Sequence, residues 1–232
     1  MRISERYKLF IDYFSKNFQR AETELHYSNP YELLVAVILS AQCTDKRVNM
    51  TTPAFFEVFP DVYSLSKTSV EEIFPLIKSI SFPNNKAKSL LGMAQMLVKD
   101  FAGEVPGDVE QLVKIPGVGR KTANVIASVI FNKPAMAVDT HVFRVSKRLG
   151  LVEPDLKTPF EVEKELIKNI PEQFVPQAHH WLILHGRYIC VARNPKCHEC
   201  PITSFCKYYE FMQQGKKLEF VTLSKKKRQI EL

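Results

Sequence analysis

The chain reads as an all-α fold. Apolar residues recur at helical spacing along most of its 232 residues, and strand-like alternation is nearly absent. Prolines 60, 83, 106, 116, 134, 154 and 171 fall between the periodic segments, where helices stop or turn. Residues suited to cap a helix stand where several of those segments begin.

Asn29-Pro30-Tyr31-Glu32 is such a start, with Asn29 as cap, Pro30 at the first helical position and Glu32 at the third. Residues 33–39 are apolar all round, so this helix is predicted to be buried on most sides. Further helices are predicted over 47–58, 69–78, 85–101, 108–114, 119–132, 140–149, 159–169 and 176–187. After Tyr209 the periodicity fades and lysine and glutamine accumulate, which predicts a flexible basic tail over 211–232.

The apolar run at 33–39 is far too short to span a bilayer, and the first residues carry no signal-peptide core or cleavage site. A cytoplasmic protein with no membrane partner is expected. The formal charge of +7 suggests a polyanionic partner, but its location matters. Residues 211–232 hold six Lys and Arg against two Glu, so the tail carries +4 and leaves only +3 for the rest. Nucleic-acid binding by the body must therefore rest on local placement of cations and amides.

KIPGVGRKTANVI, at 114–126, supplies such a placement. Asp108 can cap a short helix, with Gln111 spaced for a reciprocal contact. Gly117 and Gly119 then permit a tight turn before a second helix, whose stripe of Thr122, Val125, Ile126, Val129 and Ile130 is expected to be buried. Two helices around Gly117-Val118-Gly119 form a helix-hairpin-helix over about 108–131, whose turn amides suit a DNA phosphate whatever the sequence. A plain αα-turn would use the same glycines; a P-loop needs another spacing and a preceding strand.

Lys121 follows at the start of the second helix, expected to be partly buried in an adjoining groove. The positive end of the helix dipole and partial burial both disfavour an ammonium charge, which would favour a nucleophilic amine. On these residues alone, a phosphate contact is the commoner role for such a lysine. Asp139, in AVDTHVFR, is predicted to cap the helix over 140–149. The same amides would favour its carboxylate form, ready to stabilise a cationic sugar.

Five cysteines without a secretory signal argue against a disulfide framework. Cys190, Cys197, Cys200 and Cys206 form a four-thiolate set with one short knuckle between spacers of six and five residues. A cuboidal iron–sulfur cluster suits this spacing, and a four-thiolate zinc site remains the alternative. His198 reads as a bystander and Cys43 as an ordinary thiol. Arg193 and Lys196 offer cations from the same loop to a DNA backbone.

These features, with LSAQCTD at 39–45 and HHWLILHGRYIC at 179–190, resemble the endonuclease III family of DNA repair glycosylases over about residues 5–210. The resemblance implies two helical lobes with a DNA-binding cleft between them. One is a six-helix domain over about 23–133; the other, over 1–22 and 134–210, carries a [4Fe–4S] cluster held by the four cysteines. It implies Lys121 as nucleophile, Asp139 as the catalytic carboxylate, and Gln42 as the residue that fills the gap left by a flipped nucleotide. The implied activity is removal of oxidised or ring-damaged pyrimidines from double-stranded DNA, with β-elimination at the abasic site. A monomer working at a prokaryotic nucleoid is expected. A monofunctional mismatch-type glycosylase, which usually lacks this lysine, and a non-catalytic DNA-binding protein with a zinc knot are the alternatives. Where the family commonly reads Gly-Leu-Tyr-Asn, this chain has Ser81-Phe82-Pro83-Asn84, so Phe82 is expected as the second wedge into DNA on a stiffened loop.

Overall fold

The computed structural model describes residues 1–18 and 23–215. Its α-helices are α1 (Ile3–Asn17), α2 (Pro30–Ser40), α3 (Asp45–Val58), α4 (Val62–Ser66), α5 (Val70–Ile77), α6 (Pro83–Asp100), α7 (Val109–Leu112), α8 (Arg120–Val129), α9 (Thr140–Leu149), α10 (Pro159–Asn169), α11 (Val175–Tyr188) and α12 (Lys207–Gln213). Three 3₁₀ turns join them at Glu172–Phe174, Cys197–Glu199 and Thr203–Phe205. All regular structure among the described residues is therefore helical. None of these helices is long and apolar enough to cross a membrane. Most of the predicted basic tail, residues 216–232, lies outside the described residues.

The chain divides into two compact units, Thr23–Asn132 and Met1–Glu22 with Lys133–Glu231. In the first, α2 is the core: residues 33–39 are all buried, as their unbroken apolar character demands. Asn29 caps it by accepting the Glu32 amide at 3.0 Å. Helices α3, α6 and α8 pack against α2, while α4 and α5 pack against α6.

Local expectations differ from the fold at several points. Helix α8 turns Ala123, Ile126 and Ala127 fully inward, while Thr122, Val125 and Val129 are only half-buried. The buried face lies about one residue further round than the apolar stripe suggests, because small Ala123 and Ala127 allow close packing. Pro83 opens α6 instead of marking a gap, and Pro53 and Pro75 lie inside α3 and α5. Asp108 caps α7 by accepting the Gln111 amide at 3.0 Å, with no reciprocal bond among those described. Helix α12 continues past Tyr209 to Gln213, so the ordered chain extends beyond the predicted fraying point.

In the second unit, α9 and α1 pack against α11, and α12 packs against α9. Trp181 is the largest buried side chain: Phe14 stacks on it at 5.8 Å and Phe10 meets it edge-on at 5.9 Å. Its indole Nε1–H donates to Phe18 O at 3.0 Å, which satisfies the one polar atom of a buried ring. Buried Arg6 crosses from α1 to donate to Phe205 O and to pair with Glu210 at 2.8 Å, tying the first helix to the end of the cysteine loop.

Candidate active site

The glycine turn is built by its two glycines in different ways. Gly117 has φ +80°, and a Cβ there would lie 2.7 Å from Ser89 Cβ, so both backbone and space demand glycine. Gly119 has ordinary extended φ of −81° and caps α8; a Cβ there would meet nothing within 4 Å. Of the two glycines expected to permit the turn, only Gly117 therefore uses left-handed backbone. At Gly119 the missing side chain leaves open space before the amides of the first turn of α8, which have no intrahelical acceptors. Val118 is buried, and its N–H donates to Ile115 O at 3.0 Å, so this amide closes the turn.

Lys121 stands in the first turn of α8 and is exposed, not partly buried as the sequence suggested. Asp45, at the start of α3, lies close enough to feel its charge. Burial pushes the Asp45 carboxyl up, and the Lys121 ammonium pulls it down in part. An acid in the first turn of a helix is ordinary, so nothing local in the sequence singles out Asp45.

Gln42 sits in the short turn between α2 and α3, and Phe82 immediately before α6. Both are exposed and both have φ of +56°. Left-handed backbone is uncommon outside glycine, and neither residue is one that favours it. Ser81 Oγ–H donates to Gln42 O at 2.9 Å, so the two turns are joined although 39 residues separate the partners.

Asp139 belongs to the other unit. The buried approach Ala135 to Val138 delivers it to the N-cap of α9, where Oδ1 accepts the His141 and Val142 amides at 2.8 Å each.

The four cysteines are not joined as disulfides and gather around the loop that follows α11. Cys190 and Cys206 are buried, Cys197 and Cys200 half-buried. Burial pushes Cys206 up to about 11, and it raises Cys197 and Cys200 as well; a charge on Cys190 raises all three further. A charge on Cys190 is thus felt by each of the other three cysteines. Arg148 Nη1 lies 3.4 Å from Cys190 Sγ and donates to Val191 O at 2.7 Å, while Nη2 donates to Ala192 O at 2.9 Å. His185 Nε2 lies 3.8 Å from Cys200 Sγ. An all-sulfur donor set, two of its members buried and one flanked by a fixed cation, fits an anionic iron–sulfur cube. His198 is exposed and pairs with Glu199 at 3.1 Å. Arg193 and Lys196 are exposed on the same loop, Lys196 Nζ 4.0 Å from Glu199. Buried Arg148 escapes sequence reading because a cation in the last turn of a helix is expected at the surface.

A helical chain with an amide-lined glycine hairpin and an all-sulfur metal loop defines an iron–sulfur DNA-binding protein of the helix-hairpin-helix class. Residues 35–172 match the HhH-GPD superfamily of base excision DNA repair proteins, and residues 190–206 match the iron-sulfur binding domain of endonuclease III. Endonuclease III of Rickettsia prowazekii is 50% identical over 87% of this chain and 94% of its own length. That of Bacillus subtilis is 48% identical over 85% and 90%. A solved structure of a trapped covalent intermediate between an endonuclease III and DNA superposes with a TM-score of 0.84 at 44% identity, over 92% of this chain and all of that one. The chain belongs to the endonuclease III family: it is a DNA glycosylase and abasic-site lyase of base-excision repair, and it carries a [4Fe–4S] cluster.

Proposed function

We propose that Lys121 is the nucleophile and Asp139 the supporting carboxylate of this reaction, acting on oxidised or ring-damaged pyrimidines in duplex DNA. Weakly stacked, damaged bases leave the helix at least cost, which favours them as substrates. The observation that carries the reading is Lys121 itself, an exposed amine in the first turn of α8 directly behind the glycine turn. A backbone clamp in the turn from Gly117 to Gly119, with the Val118 amide closing it and the amides at the start of α8 facing outward, would hold a phosphate and leave the lysine for chemistry.

The neutral Lys121 amine attacks C1′; the C1′–N bond breaks and the base leaves with its bonding electrons and takes up a proton. Asp139 offsets positive charge on the sugar. The amine nitrogen then loses a proton, the C1′–O4′ bond breaks and O4′ takes up a proton as the ring opens, giving a protonated Schiff base that acidifies the C2′ proton. Loss of that proton and breakage of the C3′–O bond expel the 3′ phosphate.

Cys190, Cys197, Cys200 and Cys206 would hold the cluster, which when bound would brace their loop. Neither reaction step transfers an electron, so the loop's own contribution is to present Arg193 and Lys196 to the backbone of DNA. Gln42 and Phe82 enter the duplex beside the extruded nucleotide. The protein works as a monomer at the bacterial nucleoid, where its substrate lies.

Borohydride trapping on duplex DNA with an oxidised thymine tests the assignment. The native chain yields a covalent adduct, and Lys121→Gln yields none while unfolding within about 0.5 kcal/mol of the native chain, since the side chain is exposed. An undiminished adduct in Lys121→Gln sinks it. Base release without strand scission by the native chain would favour a monofunctional glycosylase.

A further inference from the structure

We propose that Ser81 and Lys86 are positioning residues that lock Gln42 and Phe82 into a single rigid pair of wedges; this rests on the reading of Gln42 and Phe82 as duplex-entering residues given above.

The lock is a closed ring of hydrogen bonds between two turns. Lys86 lies in the first turn of α6 and is buried, at 7% exposure. Its backbone N–H donates to Phe82 O at 3.1 Å. Its ammonium reaches across to donate to Leu39 O at 2.7 Å and Ala41 O at 2.6 Å. Those carbonyls close the C-terminal end of α2, where acceptors lack intrahelical donors and the dipole favours a cation. Ala41 leads into Gln42, whose carbonyl accepts Ser81 Oγ–H, and Ser81 leads back into Phe82. One lysine and one serine therefore hold the backbone on both sides of each exposed side chain. Ser79 Oγ lies 3.2 Å from Thr51 Oγ1 and fastens the same loop to α3.

The arrangement accounts for two features that have no other evident cause. A buried lysine with no carboxylate partner among the described residues is costly, and burial does lower the Lys86 pKa, countered only in part by Cys43. Two non-glycine residues with φ of +56° each store backbone strain that persists only where the surroundings over-determine it. Strain held in place by a ring of bonds keeps Gln42 and Phe82 erect before DNA arrives. Entering a duplex then costs little further ordering, which raises affinity without touching the reacting atoms.

The test uses the full-length, cluster-loaded chain and a duplex carrying a tetrahydrofuran abasic-site analogue, read by fluorescence anisotropy. Ser81→Ala should weaken binding about fivefold, the effect of one hydrogen bond. The rate of borohydride trapping at saturating substrate DNA should not change, and Ser81→Thr should restore affinity. In a background with Gln42→Ala and Phe82→Ala combined, Ser81→Ala should have less than about a twofold further effect, because both side chains it positions are gone. Lys86→Met should speed amide exchange at Gln42 and Cys43; if that variant does not fold, the serine series decides alone. Unchanged affinity in Ser81→Ala, or a full fivefold loss persisting when Gln42 and Phe82 are both alanine, overturns the proposal. If Gln42→Ala and Phe82→Ala bind as tightly as the native chain, the wedge reading itself falls. If they weaken binding while Ser81→Ala does not, only the lock fails.

Discussion

Asp139 Oδ1 accepts the backbone N–H of Val142 at 2.8 Å, and the His141 amide reaches the same oxygen at the same distance. Cap and proposed catalyst are thus one carboxylate, and substitution can separate the two roles. Asn caps a helix about as well as Asp, so Asp139→Asn should keep stability within about 0.5 kcal/mol and still lower single-turnover base release by about 10²-fold. Asp139→Ala should lose the activity and about 1 kcal/mol of stability as well. Full activity in Asp139→Asn, measured beside thermal unfolding, would leave Asp139 as a cap and no more.

The two glycines of the turn should respond differently. Gly117→Ala forces a left-handed alanine against Ser89 and should cost about 1–3 kcal/mol in stability. Gly119→Ala meets no neighbour and has a permissive backbone, so its stability cost should stay near or below about 1 kcal/mol. Its methyl group would stand before the amides proposed to receive a phosphate, so DNA affinity should fall severalfold. Undiminished binding by Gly119→Ala would remove the glycine turn from the interface.

Burial pushes His180 down to about 4, against an ordinary value of 6.5. The unfolded chain then binds more protons than the folded one between these values. The contribution of neutral His180 to stability is therefore fully present above pH 6.5 and declines as pH falls from there towards 4, with a slope approaching about 1.4 kcal/mol per pH unit. His180→Gln should flatten that part of a denaturant-unfolding profile. An unaltered profile would show that other groups govern acid sensitivity.

Cluster loading should separate the five cysteines. Cys206→Ala should lose the broad visible absorption and its iron, because a buried ligand is missing from the set. Cys43→Ala and His198→Ala should keep both: Cys43 lies in the other unit, and His198 is exposed and pairs with Glu199. Iron analysis of the purified variants decides it, and loss of colour in His198→Ala would make that histidine part of the site.

Features that depend on a few neighbouring residues are legible in the chain's own order of residues. Asn29 and Asp139 cap the helices expected of them, and residues 33–39 are buried because no polar side exists to face water. The four cysteines announce a metal loop because ligand chemistry needs only type and spacing. The sequence alone determined helix starts, a buried central helix and the inventory of reactive groups. Tertiary packing decided which face of α8 turns inward, that Lys121 stands exposed near Asp45, and that buried Arg148 braces the cysteine loop. It also decided that Ser81 and Lys86 bind the turn at Gln42, partners 39 to 47 residues apart. A cap is closed by bonds three residues long, which the local chain dictates. A bond between distant turns exists only once several helices have packed, and no local pattern encodes where their surfaces will meet.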